Sequence, residues 1–163
     1  MKLIGILSDT HGLWDDRYET YLGSCDEIWH AGDIGSSEIL EKLGRLSKVR
    51  AVFGNIDGSD IRMLCPEVQR FEVEGASVMM KHIGGYPGHY DASIREAVCA
   101  ERPKLFVSGH SHILKVLYDK KLELLHVNPG AAGKQGWQKV RTLVRMRIHE
   151  GTFSDMEVIE LKD

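Results

Sequence analysis

The chain has 163 residues, a length typical of one domain, and its hydrophobic share of 42% can supply a core without disulfides. No stretch approaches the roughly 20 apolar residues of a membrane span, so no membrane partner is expected. The net charge is −3 with acidic and basic residues interspersed. No basic surface therefore predicts nucleic acid as a partner.

The N-terminal segment and the cysteines indicate a cytoplasmic protein. Residues 1–7 carry one lysine and a short apolar run, which reaches Asp9 too soon for a signal peptide. The cysteines, Cys25, Cys65 and Cys99, are odd in number and widely spaced. We expect them to be reduced thiols.

Strands and helices alternate in the first third of the chain. Strands are predicted over residues 2–8, 27–30 and 49–53, with helices over 15–23 and from a cap at Ser36 or Ser37 to Leu46. A β-α-β-α-β order with short loops predicts a sheet with crossover helices packed on it. A functional site is expected at the carboxyl ends of its strands.

The remaining elements are mostly strands. The pattern predicts a hairpin of residues 71–73 and 78–81, a glycine-rich loop over 84–89, a helix over 91–102, and strands over 105–108, 116–119, 122–127, 141–149 and 156–161. The sequence contains no repeat, linker or low-complexity segment. One domain over residues 1–163 is therefore expected.

Five of the predicted strands end in side chains that can bind metal. These side chains are Asp9, His11, Asp33, Asn55, His82, His110 and His112. Carboxylate, amide and imidazole ligands suit Mn²⁺, Fe²⁺, Zn²⁺ or Ni²⁺. Seven ligands are too many for one ion with an open position, whereas two ions about 3.5–4 Å apart could share one carboxylate and hold a hydroxide between them. Such a centre would attract a phosphate ester despite the acidic chain.

The order of these residues resembles the signature of the calcineurin-like metallophosphoesterases, in particular their small single-domain microbial phosphodiesterase branch. The matching blocks are Asp9-Thr10-His11, Gly32-Asp33, Gly54-Asn55-Ile56-Asp57, His82 and Gly109-His110-Ser111-His112. Five blocks in the family's order are far more specific than any one of them. The resemblance covers essentially the whole chain.

The resemblance implies a fold, a ligand set and an assembly. The implied fold is an α/β four-layer α-β-β-α sandwich of two mixed β-sheets flanked by helices. The first ion would be bound by Asp9, His11 and His112, the second by Asn55, His82 and His110, and Asp33 would bridge them. Mn²⁺ is the metal expected first, with Ni²⁺, Fe²⁺ and Zn²⁺ as alternatives. Branch members often associate, so a homodimer or homotetramer is expected.

The chain departs from the family pattern in places that affect the mechanism. Many members have a histidine after the ligand asparagine, where it assists the phosphoryl oxygens or protonates the leaving group, but this chain has Ile56. His89, in the glycine-rich loop, is a candidate replacement. Asp57 is either a turn residue or a residue that orients Asn55. The Asn128-Pro129-Gly130 loop resembles one in the branch, although Ala131 stands where a serine often follows.

Together these features predict a metal-dependent phosphodiesterase that acts on a small phosphate ester by attack of a metal-bridging hydroxide. Asp33, Asn55, His89 and Asp57 are its candidate catalytic residues. A phosphomonoesterase with the same site and a non-catalytic metal-binding scaffold are the alternatives. His126 and His149 are interpreted as hydrogen-bonded or surface residues, and His30 as a packed residue.

Overall fold

The computed structural model describes residues 1–163, which form two five-stranded sheets, a two-stranded hairpin and four helices. In chain order the elements are β1 (Lys2–Leu7), α1 (Asp16–Leu22), β2 (Glu27–His30), α2 (Ser37–Leu46), β3 (Lys48–Ala51), α3 (Ser59–Arg62), β4 (Val68–Val73), β5 (Ala76–Lys81), β6 (Gly85–Tyr86), β7 (His89–Tyr90), α4 (Arg95–Glu101), β8 (Leu105–Val107), β9 (Lys115–Asp119), β10 (Leu124–Asn128), β11 (Arg141–His149) and β12 (Thr152–Leu161).

Both large sheets are mixed, and each has a parallel centre. The first sheet has the order β12-β11-β1-β2-β3, in which β1, β2 and β3 are parallel and β11 and β12 are antiparallel additions. The second has the order β4-β5-β8-β10-β9, in which β5, β8 and β10 are parallel. The carboxyl ends of parallel strands lie at one edge of each sheet. Loops that follow these strands can therefore meet.

The hydrophobic residues form three layers. The inner faces of the two sheets pack on each other through side chains such as Ile4, Trp29 and Met80. The outer face of the first sheet packs against α1 and α2, and that of the second sheet against α4, through residues such as Leu22 and Val98. Each sheet is thus covered on both faces. The predicted four-layer α-β-β-α sandwich is confirmed.

The segment around the glycine-rich loop differs from its prediction. Residues 84–89 were expected to form only a loop, but β6 and β7 pair as a small hairpin within this segment. The helix expected over residues 91–102 begins at Arg95. The carboxylate of Asp91 accepts a hydrogen bond from the backbone N–H of Ser93, and this turn delays the helix.

Several strands also begin or end at other residues than predicted, because backbone pairing rather than the side-chain pattern sets their ends. The third strand is Lys48–Ala51, four residues that pair with β2. The last strand begins at Thr152, because its pairing with β11 continues past a bulge. The tenth strand begins at Leu124 and ends at Asn128. None of the helices is both long and apolar enough to cross a membrane.

Candidate metal centre

The seven predicted ligands follow parallel strands of both sheets. Asp9 and His11 follow β1, Asp33 follows β2 and Asn55 follows β3, whereas His82 follows β5 and His110 and His112 follow β8. Backbone hydrogen bonds join neighbouring loops: Asp9 N–H donates to Gly32 O at 2.9 Å, and Gly109 N–H donates to His82 O at 2.9 Å. These bonds fix the spacing of the loops before any ligand binds.

The backbone is unusual at five of the seven positions. Asp9, His11, Asp33, His110 and His112 all have positive φ, between 47° and 69°. Residues other than glycine rarely adopt this left-handed region, and such strain is concentrated at functional sites. The fold therefore holds these five residues in a strained backbone conformation, which sets the direction of their side chains.

The first group of ligand atoms belongs to Asp9, His11 and His112, and these atoms all lie within 4.8 Å of one another. His112 Nε2 is 3.1 Å from Asp9 Oδ1, and His11 Nε2 is 3.8 Å from the same oxygen. Asp9 Oδ2 accepts hydrogen bonds from the Ser8 hydroxyl at 2.6 Å and from His110 N–H at 3.2 Å. These two bonds leave Oδ1 to face the histidines.

The second group belongs to Asp33, His82 and His110, again with all ligand atoms within 4.8 Å. His82 Nε2 is 3.2 Å from Asp33 Oδ2, and His110 Nδ1 is 3.1 Å from Asn55 Oδ1. Asp33 Oδ2 is also 3.6 Å from His11 Nε2 of the first group. Asp33 therefore contacts both groups, and all seven predicted ligands lie in one cluster.

The donor atoms fit divalent metal ions. Asp9 Oδ1, His11 Nε2 and His82 Nε2 are buried and have no hydrogen-bond partner. Such unpaired buried atoms are costly unless they bind something. Oxygen and imidazole nitrogen donors in two groups suit two borderline divalent ions. Gly54 allows this packing, because a Cβ on it would lie 2.1 Å from Asp33 Oδ1.

The charges in the cluster are strongly coupled. Burial opposes ionisation of Asp9, but the neighbouring His11 and His112 imidazoles hold the pKa of its carboxyl well below the usual range. Burial alone would lower the pKa of His82, but the Asp33 and Asp9 carboxylates raise it overall. The carboxylates therefore favour the protonated form of the His82 imidazole. A divalent ion competes with that proton for the same nitrogen.

Two ligand histidines are held in one tautomer by groups outside the cluster. His82 Nδ1 lies 2.7 Å from the carbonyl oxygen of Ala31, which can only accept, so Nε2 carries the lone pair. His112 Nδ1 lies 2.9 Å from Gln138 Oε1, and Gln138 Nε2 donates to the carbonyls of Gly133 and Gln135. Sequence reasoning missed Gln138, which belongs to no motif.

Asp57 lies beneath the ligand loops and not among the ligands. Its carboxylate accepts three backbone N–H groups, from Ile34 at 3.1 Å, Gly35 at 2.9 Å and Gly54 at 2.8 Å. These bonds tie the loop after β2 to the loop after β3 and so position Asp33 relative to Asn55.

Asn128 supports the other sheet's loop in the same way. Its side-chain amide donates to Gly109 O at 3.0 Å and to the Ser111 hydroxyl at 3.1 Å.

His30 is fully buried, and burial lowers the pKa of its imidazole to about 4. It accepts a bond from Gly32 N–H and therefore donates from Nε2 to Thr10, at 3.0 Å. His30 is a neutral packed residue behind the first two loops.

His89 lies apart from the ligands but lines a cavity that reaches them. The side chain is exposed on β7, with its ring centroid 4.9 Å from that of Tyr86. Both rings and His110 line a cavity of ≈ 280 Å³. Ile56, which stands where many family members have histidine, is 49% exposed.

Comparisons with known proteins agree with this fold. A model of the calcineurin-like phosphoesterase superfamily domain matches residues 1–151. A probable metallophosphoesterase of Methanocaldococcus jannaschii is 32% identical over 136 residues, which cover 79% of this chain and 67% of the relative. Among solved structures, an archaeal phosphodiesterase has a TM-score of 0.72 at 19% identity, covering 98% and 99% of the two chains. The Vps29 protein of Chaetomium thermophilum has a TM-score of 0.76 at 14% identity, covering 99% and 97%.

Proposed function

This chain belongs to the calcineurin-like phosphoesterase superfamily, and from that premise we propose that it hydrolyses phosphodiesters at a binuclear metal centre. Metal-dependent phosphoester hydrolysis is the activity of the family, and two groups of metal-capable residues are present. The observation that carries the proposal is the position of Asp33 Oδ2, 3.2 Å from His82 Nε2 and 3.6 Å from His11 Nε2. One carboxylate oxygen contacts both groups, as a bridging ligand must.

The proposed ligand sets follow the two groups. One ion would be held by Asp9, His11 and His112, the other by Asn55, His82 and His110, and both would share Asp33. Two divalent ions held there would neutralise charge on the phosphate and would lower the pKa of a water molecule. Mn²⁺ is our first choice, because the site combines oxygen and imidazole ligands and lacks thiolate.

The chain's own residues then determine how the ester is held and how its leaving group departs. Water adds to phosphorus, the phosphorus–oxygen bond to the leaving alcohol breaks, and that oxygen takes up a proton. His89, in protonated form, is our candidate for the donor, because it lines a cavity that also contains the ligand His110. Ile56 has no proton to give, so the donor must come from elsewhere.

The choice of a diester rests on space beside the ligands. The cavity of ≈ 280 Å³ next to His110 has room for one ester arm, and a second cavity of ≈ 510 Å³ lies beside His112. A phosphodiester carries two arms, whereas a monoester would fill only one cavity. The name of one structural neighbour, an archaeal phosphodiesterase, points in the same direction.

Turnover with defined metals tests the proposal. Protein stripped with chelator should be inactive toward bis(p-nitrophenyl) phosphate, and separate reloading with Mn²⁺, Ni²⁺, Zn²⁺ or Mg²⁺ should restore turnover. Elemental analysis should find about two ions per chain, as a binuclear site requires. Faster hydrolysis of p-nitrophenyl phosphate than of the diester would show that the protein is a phosphomonoesterase and not a phosphodiesterase.

A scaffold is the second candidate, favoured by the likeness to Vps29. The likeness concerns the fold alone, and a scaffold does not need seven metal-capable side chains in one cluster. A protein that binds two ions but hydrolyses neither monoester nor diester would support the scaffold over the enzyme.

A further inference from the structure

The cavity beside His110 contains features that metal binding does not require. It opens between the β6–β7 hairpin and the loop that follows β8, and its lining includes Tyr86, His89, His110, Ser111 and Lys115. His110 belongs to the ligand cluster, whereas Tyr86, His89 and Lys115 do not. A group that leaves phosphorus on this side would enter the cavity.

The cavity holds a lysine whose charge is not neutralised by an ion pair. Lys115 is the first residue of β9, and its Nζ lies 3.5 Å from the centroid of the Tyr86 ring. Such a cation–π contact holds the ammonium group in place without cancelling its charge. Asp91 also lines the cavity, but its Oδ2 accepts bonds from the N–H and the hydroxyl of Ser93. Lys115 is thus available to an anion.

The hairpin that carries the two aromatic rings is fixed in position. Gly85 has a φ of +73°, and a Cβ there would lie 2.2 Å from His89 O, so only glycine allows this close pairing. Tyr90, next to His89, donates its hydroxyl to Asp119 Oδ2 at 2.7 Å. Asp119 ends the strand that begins with Lys115. These contacts hold the hairpin against β9, the strand that carries Lys115.

The cavity on the other side of the loop that follows β8 has a different lining. It is lined by His110, Ser111, His112, Ile113, Gly136, Trp137 and Gln138. Neither lysine nor arginine is among these residues, and Trp137 is fully exposed. The two arms of a diester would thus meet one environment that contains an ammonium group outside any ion pair and one that contains no lysine or arginine.

We propose that the cavity of Tyr86, His89 and Lys115 binds the leaving alcohol of the phosphodiester and selects alcohols that carry a second anionic group, such as a carboxylate or a phosphate. Lys115 would pair with that group, and Tyr86 and His89 would contact the carbon frame between it and phosphorus. The inference rests on the proposed diesterase function and adds a substrate class to it.

Two matched diesters test the selection. The p-carboxyphenyl and p-carbamoylphenyl esters of methyl phosphate have similar leaving groups that differ in charge. The ratio of their kcat/KM values should fall about fivefold in Lys115→Gln, the effect expected of one partly exposed ion pair. Lys115→Arg should keep the wild-type ratio. Lys120→Gln, an exposed lysine just beyond the same strand, is the control and should leave both rates unchanged.

Equilibrium binding provides a second readout. In the manganese-loaded protein, p-carboxybenzylphosphonate should bind several-fold more tightly than benzylphosphonate, and Lys115→Gln should remove the difference. Failure of the wild type to hydrolyse any diester would refute the proposed function, while the phosphonate pair would still test the cavity. Hydrolysis of both esters in the same ratio by wild type and Lys115→Gln, or equal affinity for both phosphonates, would overturn the anionic leaving-group site.

Discussion

The metal centre has an inner wall and a rim that are built differently. The inner wall consists of Asp9, Asp33 and His82, each at most 3% exposed. The rim consists of Asn55, His89 and His110, whose side chains are exposed. Each inner-wall side chain has one ligand atom left, because neighbouring groups bond its other ligand atom. In Asp9, for example, Ser8 and His110 bond Oδ2 and leave Oδ1. In the rim, His89 and His110 line the cavity that also contains Lys115.

This difference separates buried metal ligands from exposed residues that can also contact a substrate. A buried ligand with its other atoms already bonded cannot turn away, so the ions would be bound in one arrangement whatever the substrate. An exposed side chain can be exchanged without loss of the fold. We therefore expect inner-wall substitutions to abolish activity toward every ester, and substitution of His89, the rim residue outside the proposed ligand set, to change which esters are cleaved.

Loss of Asp33 should have the largest effect. Asp33→Ala removes the carboxylate that contacts both groups of ligands, and kcat toward bis(p-nitrophenyl) phosphate should fall by about 10³-fold or more, which is roughly 4 kcal/mol of barrier. Bound metal should fall below two ions per chain by elemental analysis. Asp60→Ala, an exposed aspartate in α3, is the control. Full metal content together with full turnover in Asp33→Ala would exclude a bridging role.

Asp57→Ala should show that the inner wall depends on the hydrogen bonds that the Asp57 carboxylate accepts from the ligand loops. Three backbone N–H groups would lose their acceptor, and two of them are buried, so we expect a loss of about 3 kcal/mol in the free energy of unfolding. Urea denaturation of the chelated protein measures this loss. At saturating Mn²⁺, kcat should stay within roughly tenfold of wild type. A collapse of kcat with unchanged stability would instead make Asp57 a catalytic residue.

The sequence predicted the metal-capable residues more completely than the structure around them, and the reason is physical. Asp9 and Asp33 directly follow buried strands, and parallel strands bring their carboxyl ends to one edge. The hairpin that carries His89 has strands of two residues, too short for an alternating pattern. Gln138 lies 26 residues beyond His112, and nothing local links the two. Such contacts exist only once the loops have packed.

Substitution of His89 should test whether the rim serves the leaving group. His89→Gln should slow hydrolysis of methyl phenyl phosphate by about 10²-fold, because general acid catalysis matters most for a poor leaving group, and should hardly affect bis(p-nitrophenyl) phosphate. Ile56→His in that background should recover part of the lost rate, since it places an imidazole at the position common in the family. His149→Gln is the control, an exposed histidine at the end of β11. Equal slowing of both esters by His89→Gln would argue against a proton donor.

Substitution of Gln138 should have the smallest effect. This residue lies in a surface loop, but its side chain orients the ligand His112. Gln138→Ala removes the acceptor of the Nδ1 proton, and the affinity for one of the two ions should fall about tenfold in a calorimetric titration with Mn²⁺. Gln138→Glu keeps an acceptor but loses the donations to the carbonyls of Gly133 and Gln135. Near-normal affinity in Gln138→Glu would assign the effect to the His112 contact, whereas an equal loss in both variants would assign it to the loop. Gln135→Ala, in the same loop, should bind both ions as the wild type does.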